Sequence, residues 1–215
     1  MKAIVLLSGG LDSTTTLAVA IDRGFEILPL HLNYRHRAQK KELEAFDAIL
    51  NHYGIERRLV VELPFFSRFE KRGLVNPELD LSVESYNDSR LSYLPFRNGV
   101  MLAIATAIAE EEEAGAIFAG VMEEDSSGYP DCREKFIQNF QQTINSGTKK
   151  GDITLMTPII HLKKSEVVLL GNKLGVPFHL TWSCYGGDER PCGRCASCLL
   201  RRSAFEKAGV KDPLT

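Results

Sequence analysis

A chain of 215 residues, 44% hydrophobic and 25% charged, can form one domain with a substantial buried core. Its formal net charge of -2 argues against a general nucleic-acid surface, and no apolar run is long enough to span a bilayer. Met1-Lys2 leads straight into an apolar segment instead of a cleavable signal, so a cytoplasmic location is expected, with neither membrane nor direct nucleic-acid partner.

The run Ala3-Ile4-Val5-Leu6-Leu7 reads as a buried strand, and Leu11, Leu17, Ala18 and Ile21 mark the inner face of a helix that follows at once. Between them stands Ser8-Gly9-Gly10-Leu11-Asp12-Ser13. The turn must be tight. Its glycines permit angles that other residues resist and keep side chains away, so peptide N–H groups and the first helical turn can approach an anion. Ser8, Ser13 and Thr14 add hydroxyl donors. No Gly-Lys-Ser/Thr follows, which separates the turn from a Walker A loop. Asp12 is either a helix cap or a carboxylate that orients a hydroxyl or a magnesium-bound water.

Residues 25–33 read as a second strand, 40–53 as an amphipathic helix closed by Gly54, and 58–63 as a third strand. This alternation predicts an α/β fold with a doubly wound parallel sheet, whose ligands sit outside the carboxyl ends of the strands. Residues 65–93 form a long excursion of weak periodicity. A helix is expected over 97–113, a strand over 116–121, a polar connection over 123–133 and a helix over 134–145. An extended piece at 153–160 precedes a helix at 164–174, stopped by Gly175.

Four of the five cysteines, Cys184, Cys192, Cys195 and Cys198, follow C-x7-C-x2-C-x2-C. Four thiolates on one short loop match a closed tetrahedral zinc site of structural type. An iron–sulfur cluster is the rival, but the ferredoxin run places its fourth Cys and a Pro after the triplet, whereas Cys198 leads into Leu199-Leu200-Arg201. Zinc is therefore favoured. Arg190, Arg194, Arg201 and Arg202 either neutralise the tetrathiolate, contact phosphates or belong to a nucleic-acid-binding module.

The Ser8–Ser13 segment resembles the loop of the N-type ATP pyrophosphatases, the PP-loop family. Thr181-Trp182-Ser183-Cys184-Tyr185 and the stretch from Pro191 to Arg201 are similar to the C-terminal signature of the 7-cyano-7-deazaguanine synthases, the QueC family. Gly128-Tyr129-Pro130-Asp131-Cys132-Arg133, Thr157-Pro158-Ile159 and Leu162-Lys163-Lys164-Ser165-Glu166 extend the likeness from Met1 to Pro213.

The resemblance implies an adenine nucleotide alpha hydrolase-like domain over 1–180 with a zinc-binding segment, 181–215, packed on it. It implies a homodimeric carbon–nitrogen ligase that converts 7-carboxy-7-deazaguanine and ammonia, with ATP and magnesium, into the nitrile through adenylated acid and amide. Lys164, Asp12 and Ser13 take the catalytic positions. ATP is assigned to Ser8, Gly9, Gly10, Leu11, Asp12, Ser13, Thr14, Thr15, Thr16, Leu17, Ala18, Arg97 and Asn98. The deazaguanine is assigned to Tyr34, Asp125, Tyr129, Asp131, Cys132 and Arg133, and the zinc to the four clustered cysteines. Blander roles stand beside these: a solvated helix lysine for Lys164, an N-cap for Asn98, and a packing residue rather than a nucleophile for Cys132. Two departures from the family lie near the expected acceptor pocket. Phe96 precedes Arg97-Asn98 where a small residue is common, and Glu124-Asp125-Ser126-Ser127 replaces an aromatic-containing approach to Gly128.

Overall fold

Side chains of β1 (Lys2–Leu6) alternate between the two faces of a sheet. Ala3 and Val5 pack with Leu17 of α1 (Leu11–Asp22) and with Phe46 and Ile49 of α2 (Gln39–His52), whereas Ile4 packs with Leu102 and Ala105 of α3 (Arg97–Glu111). All three strand residues are fully shielded. A strand apolar on both sides needs helices on both sides, and the parallel sheet supplies them. The computed structural model describes residues 1–79, 81, 91–124, 128–186 and 189–214.

Five parallel strands lie in the order β3-β2-β1-β4-β5, with β2 at Glu26–Asn33, β3 at Leu59–Glu62, β4 at Ala116–Phe118 and β5 at Thr154–Met156. The chain builds outward from β1 through β2 to β3, then crosses to β4 on the other side. That reversal puts a topological switch point at the carboxyl end of β1, where the Ser8–Ser13 turn begins. α4 (Glu134–Gly147) joins α3 on one face. A third apolar cluster joins Leu11 and Ala18 of α1 to Val167 and Val168 of α5 (Lys164–Lys173) and to Ala204 and Phe205 of α6 (Ala196–Ala208).

The expected doubly wound α/β fold is thus the observed one, with differences in extent. The strands expected over 116–121 and 153–160 are only three residues each. Beyond Phe118, Ala119, Gly120 and Val121 leave the sheet to line a cavity. α6 stands where the sequence pattern conveys only the cysteine knuckle. Its buried face is made by Cys198, Arg201, Ala204 and Phe205, in which a thiol and a guanidinium disguise the apolar period. Residues 80 and 82–90, within the expected excursion, lie outside the described residues. No helix among the described residues is long and apolar enough to cross a membrane.

Candidate active site

The strand-to-helix turn is held open by its own polar groups. Gly9 has φ of +87°, and a Cβ there would stand 2.8 Å from the Glu42 carbonyl oxygen and 2.9 Å from Ala45 Cβ. Left-handed backbone and close approach of α2 together require glycine. The Ser8 N–H donates to Ser13 Oγ at 3.2 Å, the two serine hydroxyls lie 3.0 Å apart, and the Gly10 N–H donates to Ser8 Oγ. Ser13 Oγ and Thr14 Oγ1 both donate to the Gly10 carbonyl. The first-turn amides of α1 have no acceptor within the helix, and they flank a cavity of about 320 Å³.

Ser8, Gly10, Leu11, Asp12 and Ser13 line that cavity, and so do Lys164, Arg97, Asn98, Tyr34, Tyr129 and Cys132. Residues separated by more than 150 positions therefore share one wall. The remaining nucleotide candidates stand behind it. Gly9 faces α2, Thr14, Thr15 and Thr16 are fully buried with Thr15 Oγ1 donating to the Leu11 carbonyl, and Leu17 and Ala18 belong to the core.

Lys164, the first residue of α5, extends its Nζ to donate to Asp12 Oδ2. The other carboxylate oxygen, Asp12 Oδ1, is buried and has no hydrogen-bond partner among the described residues. A half-satisfied buried carboxylate is suited to a cation or a hydroxyl donor. The Lys164 backbone N–H donates to Glu124 Oε2 at 3.0 Å, which ties the start of α5 to the end of the sheet.

Elsewhere in the lining Arg97 donates to the Tyr34 hydroxyl at 3.2 Å and stands over its ring, which also stacks on His36 at 4.2 Å and meets Phe66 edge-on at 5.8 Å. Burial pushes the Tyr34 phenol up to about 12. It stays protonated and holds the guanidinium without neutralising it. Asn98 Nδ2 lies 3.2 Å from Cys132 Sγ, and Tyr129 OH pairs with Ser92 Oγ at 2.8 Å. Asp131, by contrast, is outside the lining: it is 4% exposed and accepts the Asn98 backbone N–H. Arg133 is exposed and also outside the lining, and Asp125 lies outside the described residues. Phe96 has φ of 56°. Left-handed backbone is the physical reason that a small residue suits this position.

Several lining residues escaped the sequence reading. Glu42 comes from α2, and Trp182, Ser183, Tyr185 and Ser197 come from the C-terminal segment, which also brings Arg201, one of the candidate phosphate contacts, to the lining. Ser183 and Tyr185 lie within a stretch whose signal was dominated by Cys184. Nothing in the pattern around Glu42 distinguishes it from other acids of an amphipathic helix.

The sulfur atoms of Cys184, Cys192, Cys195 and Cys198 all lie within 4.8 Å of one another, with Cys192 and Cys198 at 4.0 Å. A tetrahedral ion with metal–sulfur bonds of about 2.3 Å sets sulfurs roughly 3.8 Å apart. The donor set therefore fits one ion and leaves no room for a multi-iron cube between the thiolates. N–H groups of Gly186 and Cys192 point at Cys184 Sγ, and that of Cys195 at Cys192 Sγ. Crowding divides the thiols: Cys184 is pushed down as it accepts from Cys195 and Cys198, and those two are pushed up.

A glycine-rich strand-to-helix turn at the switch point of a parallel sheet defines an α/β protein with the fold of the PP-loop class. Solved structures with this fold include the U34-tRNA thiolase NcsA from Methanococcus maripaludis with its [4Fe-4S] cluster, at 18% identity and a TM-score of 0.50, covering 96% of this chain and 65% of that one. NMN synthetase from Francisella tularensis matches at 16% identity and a TM-score of 0.50, covering 98% and 78%. The family model described as queuosine biosynthesis protein QueC matches residues 2–209. Similar chains named 7-cyano-7-deazaguanine synthase occur in Nautilia profundicola, 49% identical over 98% of this chain and 96% of the relative, and in Nitratiruptor, 48% identical over 100% and 98%. The chain belongs to the QueC family, and it is an enzyme of the carbon–nitrogen ligase type.

Proposed function

We propose that this enzyme converts 7-carboxy-7-deazaguanine and ammonia into 7-cyano-7-deazaguanine at the expense of two ATP molecules, within queuosine or a related deazapurine pathway. The observation that carries the reading is the single cavity in which the Ser8–Ser13 loop and the Asp12–Lys164 pair face Arg97, Asn98, Tyr129 and Cys132. A carboxylate resists ammonia because its carbon is electron-rich and oxide leaves poorly. Transfer of AMP from ATP to one carboxylate oxygen, with pyrophosphate as leaving group, removes both obstacles. Ammonia then displaces AMP to form the amide. A second adenylation, on the amide oxygen, permits loss of a proton and AMP to leave the nitrile. Both original oxygens depart on AMP.

In this scheme the amides of Leu11 to Ser13 and the serine hydroxyls hold the leaving pyrophosphate, and Lys164 balances charge that develops during phosphoryl transfer. Asp12 Oδ1, buried and unpartnered, supports a place for magnesium or one of its waters. Arg97 and Asn98 serve the nucleotide, and Tyr34, Tyr129 and Cys132 the deazaguanine. Asp131 acts through the backbone of Asn98, and Arg133 and Asp125 are assigned to the deazaguanine on the family resemblance. The four cysteines hold a structural zinc, residues 1–180 form the catalytic unit with 181–215 packed on it, and the active form is a cytoplasmic homodimer.

The test is incubation of the zinc-loaded protein with labelled ATP, ammonia and 7-carboxy-7-deazaguanine, followed by mass analysis. Amide and then nitrile are expected, with AMP and pyrophosphate in a ratio of two to each nitrile. Release of pyrophosphate without either product would refute the acceptor, and no pyrophosphate at all would refute the reaction.

A further inference from the structure

One backbone contact joins the two ends of the chain. The Trp182 N–H donates to the carbonyl of Gly9 at 2.9 Å, in the middle of the anion loop. Trp182 also reaches the knuckle: its indole N–H donates to the Cys184 carbonyl at 2.8 Å, and its ring, with Lys41 Nζ 5.8 Å from its centroid, packs in the cluster that contains Cys184, Cys195 and Cys198. Two metal-ligand positions therefore flank the segment that touches the loop, one directly after Ser183 and the other on α6.

Arg201 closes this arrangement. It lies three residues after Cys198 and is 5% exposed. Its Nη1 donates to Thr181 Oγ1 at 2.7 Å and to Ser183 Oγ at 3.4 Å, and its Nη2 donates to the Phe178 carbonyl at 3.1 Å. Asp212 takes Nε and Nη2 in a bidentate pair at 2.8 and 2.9 Å. These contacts engage every N–H-bearing nitrogen of the guanidinium, so Arg201 is a brace and not a phosphate ligand, although it borders the cavity. The brace fixes the segment 181–183 relative to α6, and the segment in turn fixes Gly9.

We infer that the cysteine knuckle and the nucleotide loop are energetically coupled, with Arg201 as the positioning residue that carries the coupling through Thr181–Ser183 and the Trp182–Gly9 hydrogen bond. The inference rests on the reading that the loop takes ATP and the knuckle takes zinc. A metal that holds Cys184 against Cys198 orders the segment that orders the loop. A nucleotide that orders the loop must then tighten the knuckle by the same factor, because coupling between binding sites is reciprocal.

The measurement is zinc release from the full-length, zinc-loaded protein to a chromophoric chelator, with and without α,β-methylene ATP, beside calorimetric titration of the same analogue. Release from the native protein should slow by about tenfold when the analogue is bound. Thr181→Val removes one arm of the brace without touching a cysteine or the cavity lining. This variant should keep one zinc per chain, bind the analogue several-fold more weakly, and lose most of the protection. Asp212→Asn, which loosens the guanidinium from its other side, should behave likewise and replaces Thr181→Val where that variant does not fold. A brace that served stability alone would lower the melting temperature and leave the ratio of release rates unchanged; that result overturns the inference. Binding of analogue and zinc without mutual effect in the native protein also overturns it. Absence of any analogue binding would instead remove the reading of the site on which the inference rests, and the coupling with it.

Discussion

Asp131 Oδ2 accepts the backbone N–H of Asn98 at 2.7 Å, so a residue from the connection before α4 caps the first turn of α3. α3 needs that service because Phe96, which precedes it, has no side-chain acceptor. The same contact brings Cys132 to the Asn98 side chain. A segment that resembles a family motif thus shapes one side of the cavity by holding a helix.

Asp131→Asn retains an acceptor oxygen and should lose less than about 1 kcal/mol of stability, whereas Asp131→Ala should lose about 1–2 kcal/mol. Urea titration of both variants, beside KM for the acid and for ATP, separates capping from direct contact. A large rise in KM for the acid in Asp131→Asn, with stability intact, would show that the carboxylate itself meets the substrate.

Gly9→Ala should damage the loop far more than an average left-handed glycine predicts. At Gly24, with φ of +74°, no atom lies within 4 Å of an added Cβ, so Gly24→Ala should cost about 1 kcal/mol from backbone strain alone. At Gly9 the same strain is joined by contact with the Glu42 carbonyl and Ala45, and the loss should exceed about 2 kcal/mol. Thermal unfolding of the pair gives the comparison, and nucleotide titration should show weakened binding only for Gly9→Ala.

Lys164→Met should lower kcat/KM for ATP by about 10²-fold or more, because the Nζ that reaches Asp12 also borders the phosphate loop. A solvated helix lysine would give almost no change. Asp12→Asn removes the charge next to Lys164 and should shift the magnesium dependence of pyrophosphate release to higher concentration.

His31 links acid sensitivity to the same loop. The ring is 1% exposed, with Nδ1 3.0 Å from the Leu7 carbonyl, and burial lowers its pKa below 6.5. The unfolded chain accepts a proton near pH 6.5 while the folded protein still resists it. Stability is therefore complete above about pH 6.5 and declines as pH falls towards the folded value, by at most about 1.4 kcal/mol per pH unit. Urea midpoints at pH 7.5 and 5.5 should differ in the native protein, and His31→Gln should flatten the difference.

Metal analysis of protein purified without added metal should find one zinc per chain and no acid-labile sulfide. The four sulfurs lie too close together for a cluster of several irons. Cys198→Ser should lose the ion and expose the segment that contacts Gly9.

The amino-acid sequence by itself determined the alternation of strands and helices, the turn from Ser8 to Ser13 and the four cysteines, because each is a local pattern. Apolar period, paired glycines and ligand spacing can all be read within about fifteen residues. It also placed Lys164, Arg97 and Cys132 among the functional candidates through their motifs, but it could not say which of those side chains meet. Tertiary structure alone decided that Lys164 reaches Asp12, that Asp131 caps α3, and that Arg201 braces the segment beside Gly9. Each of these contacts joins residues that belong to different elements, and its existence depends on how the faces of those elements pack. A guanidinium or carboxylate has the same local signature whether it meets a phosphate, caps a helix or is spent within the protein; only the surrounding donors and acceptors separate those roles.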